Sequence, residues 1–164
     1  MVAASKNIRA FRDLDEVDLR LVRLLQQNGR MSNSELAEGA GIAASTCVTR
    51  LRSLIDRGVI TGFTAVVDPA ALGIELQVLI SVSVRAGARQ RIAELSEHLQ
   101  KLPEVMQLFF LGGAEDFIIH VAARNAEEVR DFVMEHLSAH PAVASTRTSM
   151  VFDHFSAGLQ PANG

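Results

Sequence analysis

Residues 31–58 read MSNSELAEGAGIAASTCVTRLRSLIDRG, and their pattern sets the expectations for the rest of the chain. Ser32-x-x-Glu35 is a capping box, in which the hydroxyl accepts from the Glu35 amide while the carboxylate reaches back to the Ser32 amide. Leu36, Ala37 and Ala40 supply a short apolar stripe that ends at residues 39–41, where Gly39 and Gly41 let two helices cross closely. The helix that follows is expected to bury Cys47, Val48, Leu51, Leu54 and Ile55. Its opposite face carries Ser45, Thr46, Thr49, Ser53 and Asp56, flanked by Arg50 and Arg57 on one side and Arg52 on the other. Short hydroxyls on the N-terminal half of a helix, with arginines beside them, suit base edges and phosphates in a major groove. A merely solvated face more often carries Glu and Lys. The stretch therefore reads as a helix-turn-helix, with Ser32, Asn33, Ser45, Thr46, Thr49, Arg50, Arg52 and Ser53 as candidate contacts to double-stranded DNA. One local weakness stands out: Ala43-Ala44 precedes the second helix where a Ser or Asp cap is expected.

Upstream, Leu14, Val17, Leu21, Leu24 and Leu25 recur at helical spacing from Asp13 onward, and Asn28-Gly29 is a stop signal. Lys6, Arg9 and Arg12 precede that helix and could form either a frayed terminus or a basic arm on DNA backbone. Residues 1–62 hold nine Lys/Arg against seven Asp/Glu, a surplus of +2, whereas residues 63–164 hold seven against twelve, −5. The asymmetry points the N-terminal third at an anionic partner, but two charges neutralise few phosphates, so paired copies are expected. The single cysteine, Cys47, allows no internal disulfide, falls on the apolar side of its helix and fits a reducing cytoplasm. No secretory leader or membrane helix is expected: the first residues break into charge at once, and the longest uncharged stretches fall far short of the roughly 18 residues a membrane helix needs.

Beyond residue 62 the chain changes character. Residues 63–67 read as a strand and 63–75 as a linker, broken at Asp68-Pro69. An internal repeat then dominates, since EHLQKLPEV at 97–105 returns as EHLSAHPAV at 135–143, displaced by 38 residues. Each copy lies between strands: 76–85, helix 89–102 and 105–111 in the first unit, then 117–123, helix 126–139 and 143–152 in the second. Two successive βαβ units make βαββαβ, a ferredoxin-like sandwich, so the fold class is α+β. The domains expected are 1–62 for DNA binding, 76–152 for the sandwich, and 153–164 as a flexible tail. In 105–111 both alternation phases are apolar, with Val105, Phe109 and Leu111 on one and Met106, Leu108 and Phe110 on the other. The sheet face left open by the two helices thus calls for a partner, most simply a second copy.

Taken together, LDEVDLRLVRLLQQNGRMSNSELA at 14–37, TCVTRLRSLIDRGVITGFTAVVDPAALG at 46–73, GGAEDFIIHV at 112–121 and TRTSMV at 146–151 resemble the Lrp/AsnC (leucine-responsive, or feast/famine) family of bacterial and archaeal transcription regulators. The resemblance covers roughly residues 13–152. It implies a cytoplasmic, nucleoid-associated homodimer that assembles further, for example to an octamer, and binds an amino acid or related metabolite between subunits. The effector would sit at a turn of the form Gly-x-x-Asp, which implicates Leu111, Gly112, Gly113, Ala114, Glu115 and Asp116, together with Ser149 and Met150 of the last strand. Backbone amides at glycines can hold a carboxylate and an aspartate can take an ammonium. Two positions depart from the family pattern: Glu115 stands where an aromatic is usual and Ser149 replaces a bulkier residue. An added carboxylate would favour a basic or polar amino acid over leucine.

A similar architecture occurs in sirohaem decarboxylases, so an enzyme is the alternative reading. Its candidates would be His98, His120, His136, His140 and His154. His98 and His136 occupy equivalent repeat positions, which suggests a structural role. His136-x-x-x-His140 has metal-ligand spacing, but no third ligand is near in sequence and Pro141 ends the turn. The expectation is therefore a regulator with no catalytic residue, no metal and no cofactor other than an amino-acid effector.

Overall fold

The structure, a computed structural model, describes residues 14–155; the basic-arm candidates Lys6, Arg9 and Arg12 and the tail beyond Phe155 lie outside them. The described residues form two compact units that divide between Val66 and Val67.

In the first unit, helix α1 (Glu16–Gln27) starts at Asp15, whose carboxylate accepts from the Val17 and Asp18 amides at 2.9 Å each. Glu16 and Asp18 in its first turn favour the positive end of the helix dipole. Helix α2 (Asn33–Ala40) opens on the full capping box: Ser32 Oγ accepts from the Glu35 amide at 3.2 Å, and Glu35 Oε2 accepts from the Ser32 amide at 2.7 Å. It closes on Gly41 at φ 70°, the left-handed conformation that only glycine adopts without strain. Helix α3 (Ala44–Asp56) follows directly, and Ala43 gives it no side-chain cap. Leu21, Leu36, Ala37, Ala40, Cys47 and Leu54 make the core of this unit.

Two expectations are corrected here. Val48 and Ile55 are not buried but 48% and 44% exposed, because α3 buries only the narrow stripe of Cys47 and Leu54 with Leu51 at its margin. At about 100° per residue, Val48 is turned well away from Cys47. Residues 63–67 form no strand. Their β-branched and aromatic side chains have the propensity, but a strand exists only with a ladder partner, and Val66 stands fully exposed.

The second unit runs β1 (Leu76–Val84), α4 (Ile92–Leu99), β2 (Val105–Phe110), β3 (Phe117–Ala123), α5 (Ala126–Phe132) and β4 (Val143–Val151). The sheet order is β2-β3-β1-β4 with every neighbouring pair antiparallel, which is the ferredoxin-like βαββαβ arrangement. Both helices are shorter than the sequence pattern suggests. A 3-10 turn (Ala86–Arg91) leads into α4, and Arg91 supplies no side-chain cap. Helix α5 starts on an Asn125 cap and then widens into a π-helical turn (Val133–Ser138), where the Ala139 amide donates to the Met134 carbonyl at 3.2 Å.

Val78, Ile80 and Val82 of β1 and Phe117, Ile119 and Val121 of β3 point to one face and pack on Leu95, Leu99, Val129, Phe132 and Leu137. The other face carries Leu79 and Ser81 of β1, Ile118 and His120 of β3, and Phe109 of β2 opposite Ile118. A register shift between Val105 and Gln107 breaks the simple alternation of β2. As a result Val105 and Leu108, three residues apart, are both half-buried against the core while Met106 and Phe109 are exposed; Phe110, opposite Phe117 at the end of the strand, is exposed as well.

Because α3 lacks a cap, Ala43→Ser should stabilise the protein by about 1 kcal/mol. The measurement is a urea melt, and an unchanged midpoint would show that the first turn of α3 is already satisfied.

Candidate nucleic-acid interface and effector turn

The outward face of α3 is built by subtraction. With Cys47 and Leu54 committed to the core, Ser45, Thr46, Thr49, Arg52 and Ser53 are all exposed, and so are Ser32 and Asn33 at the start of α2. Thr49 Oγ1 donates to the Ser45 carbonyl at 3.1 Å, so its hydroxyl keeps its acceptor side outward. Arg52 lies on the same outer line as Ser45 and Thr49, spaced at three, four and seven residues.

Arg50 is placed differently. Its Nη1 donates to Asp15 Oδ2 at 2.6 Å and to Asp18 Oδ1 at 2.9 Å, and Arg57 Nη1 lies 3.8 Å from Asp18 Oδ2. Asp18 is 6% exposed, and a carboxylate so buried requires a cation beside it. The guanidinium therefore ties α1 to α3 and holds the orientation of the hydroxyl face. Arg20 adds a second tie, Nη1 donating to the Ala40 carbonyl at 3.1 Å at the end of α2. The backbone amide of Asp18, followed by the Arg50 side chain, holds the Asp15 carboxyl below its ordinary value, and Asp15 followed by Asp18 raises Arg50.

The turn between β2 and β3 is an open surface. Gly112, Gly113 and Ala114 are exposed, and a Cβ at either glycine would meet nothing within 4 Å. Neither glycine has positive φ, so the backbone does not demand them, and what they supply is access to their amides. Asp116 is anchored: its amide donates to the Val82 carbonyl at 3.0 Å, and its Oδ2 accepts from the Val84 amide at 2.7 Å. The Leu111 amide closes the turn onto the Asp116 carbonyl at 3.0 Å. Glu115 Oε1 lies 3.4 Å from Arg147 Nη1 of β4. Arg147 and Ser149 are two residues apart on one strand and share a face, opposite Ser81 and Leu79. Met150 pairs with Val78 and so points to the helix side, away from Ser149.

Comparison with known proteins matches residues 14–61 to a winged helix-turn-helix DNA-binding family and residues 77–159 to the Lrp/AsnC ligand binding domain. The HTH-type transcriptional regulator AldR of Mycolicibacterium smegmatis is 49% identical over 149 residues, covering 91% of this chain and 86% of that protein. This chain belongs to the Lrp/AsnC family. The leucine-responsive regulatory protein of Rhizobium meliloti is 33% identical, covering 84% of this chain and 88% of its own. Among solved structures, a transcriptional regulator from Neisseria meningitidis in complex with L-Met aligns at TM-score 0.80 and 30% identity, over 90% of this chain and 95% of that one.

Two residues lie beside the candidate surfaces without having been read from the sequence as part of them. Val48, expected in the core, instead presents an apolar patch on the same helix as Ser45 and Arg52. Arg147 became visible only through strand register, although its two-residue offset from Ser149 was a usable signal. Four of the five histidines have a polar partner within the fold, and the fifth, His154, stands edge-on to His120 with ring centroids 6.1 Å apart. His120 Nε2 lies 2.9 Å from Gln77 Oε1, the Ala142 amide donates to His140 Nδ1 at 3.2 Å, and His98 Nε2 meets His136 Nδ1 at 3.2 Å. The i,i+4 chelate considered for His136 and His140 is not formed, because the π turn spans His136 and each ring faces a different partner.

Arg50→Ala should lower the thermal midpoint at pH 7 by stranding Asp18. A carboxyl depressed on folding, such as Asp15, contributes stability above its unfolded pKa of 3.8 and loses it as pH falls through the folded value. The gap between wild type and Arg50→Ala should therefore narrow as pH falls below 3.8 and through the depressed folded value. A gap of unchanged size throughout that acid titration would show that Arg50 acts through packing instead.

Proposed function

We propose that this protein is a transcriptional regulator that binds double-stranded DNA through α3 and whose hold on its operators changes when an amino acid binds. The observation that carries this reading is the exposed row of Ser45, Thr46, Thr49, Arg52 and Ser53 on a clamped helix. Hydroxyls offer donors and acceptors to base edges, Arg52 suits guanine or phosphate, and Val48 offers an apolar surface to a thymine methyl. Arg50 serves as a positioning residue rather than a base contact. Membership of a family of regulators favours this reading over catalysis, and the partnered histidines add no free acid–base pair.

The working unit is a homodimer or a larger assembly of dimers. The support is physical: a net surplus of two positive charges in residues 1–62 is too small for firm binding by one copy, and the open sheet face carries exposed Leu79 and Phe109. The effector binds at residues 111–116 with help from Ser149. Glycine amides take its carboxylate and Asp116, through the oxygen left over from the Val84 amide, takes its ammonium. Glu115 is already matched by Arg147, which weakens the case for a basic side chain on the effector and leaves a neutral one open. The protein acts where the DNA is, and no helix among the described residues is long and apolar enough to cross a membrane.

Fluorescence anisotropy with the protein's own promoter tests both halves. Arg52→Ala should weaken binding and reduce the slope of log affinity against log salt by about 1 if it contacts phosphate, or relax preference at one base pair if it contacts guanine. No change in either would remove α3 from the interface. Asp116→Ala should leave DNA affinity without effector intact and erase the response to whichever of the twenty amino acids raises the wild-type melting temperature. A retained response would place the effector elsewhere.

A further inference from the structure

The internal repeat puts a histidine at the same position of both helical segments, and the fold brings these two rings together. His98 in the last turn of α4 and His136 in the π turn after α5 meet at 3.2 Å, Nε2 to Nδ1, with ring centroids 5.3 Å apart. Phe132 stands edge-on to His136, centroids 5.2 Å apart, and so limits how that ring can turn. We infer that His98 and His136 form a two-histidine chelate for a divalent transition-metal ion such as Zn2+ or Ni2+, bridging the two repeat units on the helical face of the sandwich.

The distances suit it. Two imidazole nitrogens bound to one zinc ion at 2.0–2.1 Å and a tetrahedral angle stand about 3.4 Å apart, so the observed separation needs only a small adjustment. Each of the two nitrogens can carry a lone pair in the neutral ring. The imidazole that now donates in the pair moves its proton to its other nitrogen, and the metal takes the place of the N–H···N contact, with no net proton released. Imidazole favours zinc, nickel and copper over magnesium and calcium, which prefer oxygen. Glu94 lies one turn before His98 and Glu135 adjoins His136, so the local field favours a cation.

Among the described residues no cluster of three or more His, Cys, Asp or Glu donors occurs, so the protein supplies two ligands only. The site is accordingly an exchangeable one. His98 is exposed, and His136 lines a cleft of about 410 Å3 together with Glu104, Glu128, Asp131 and Glu135 and one cation, Arg124, which is paired with Glu128. The remaining coordination positions are left to water or to a donor from a bound small molecule. A metal held there joins α4 to the segment after α5 across the repeat and raises native-state stability by mass action.

The test uses the tag-free full-length chain. Isothermal titration with NiCl2 and ZnCl2 should show a saturable site that MgCl2 does not fill, and each transition metal should raise the melting temperature. His98→Gln and His136→Gln should each weaken affinity tenfold or more, while His140→Gln and His154→Gln should bind as wild type does. Imidazole 15N–1H spectra of the wild type give a readout that no variant's folding can confuse: the signals of His98 and His136 should shift together at the lowest metal additions, ahead of the other three histidines. Absence of saturable binding, binding that survives both substitutions, or first perturbation of a different histidine would each overturn the site.

Discussion

A four-stranded sheet has two faces, and among the described residues of the second unit helices cover only one of them. The repeat supplies α4 and the α5 segment, and both lie against Val78, Ile80, Val82, Phe117, Ile119 and Val121. The opposite face is left with Leu79, Ile118 and Phe109 among polar neighbours. Apolar side chains on an uncovered sheet gain by association, and the simplest partner with a matching surface is another copy. The small positive surplus of the DNA-reading region and the open, unenclosed turn at residues 111–116 point the same way. In the homodimer proposed above, the phosphate contacts available to one chain would be doubled.

Within the DNA-reading unit a different constraint governs. Asp18 is buried, and a buried carboxylate is costly unless a cation and hydrogen bonds surround it. Arg50 and Arg57 come from α3 to meet it, so the orientation of the reading helix relative to α1 is set by charge pairing as well as by the contacts of Leu21, Cys47 and Leu54. Rigid placement of this kind matters for base readout, where a misaligned hydroxyl loses its directional hydrogen bond. The helix proposed to do the reading has no side-chain cap, and its ion pairs to α1 come from its middle and its C-terminal end.

The features legible in the sequence are those whose causes lie within a few residues. The capping box at Ser32 and Glu35, the helix end at residues 39–41, the missing cap at Ala43 and the stop at Asn28 are local arrangements, and each stands in the structure as read. The alternation of β1 and β3 and the 38-residue repeat determined the sandwich, because side-chain period and repeated order leave few topologies open. Residues 63–67 mark the limit of such reading. Propensity for a strand was there, but the ladder partner was not.

Tertiary structure alone decided which polar residues face outward and which face one another. Arg50 and Arg52 are equivalent by composition, yet one is drawn inward by acids 32 and 35 positions earlier while the other stays exposed. Val48 and Ile55 look like core on a hydrophobicity pattern and are not, since the width of the buried stripe depends on how closely neighbouring helices approach. Arg147 reaches Glu115 only because β4 lies beside β1 in one register. His98 and His136 were visibly equivalent in the repeat, but equivalence does not say that two residues touch. That depends on the crossing of two helices and on a π turn that rotates one ring toward the other, and no local rule encodes either.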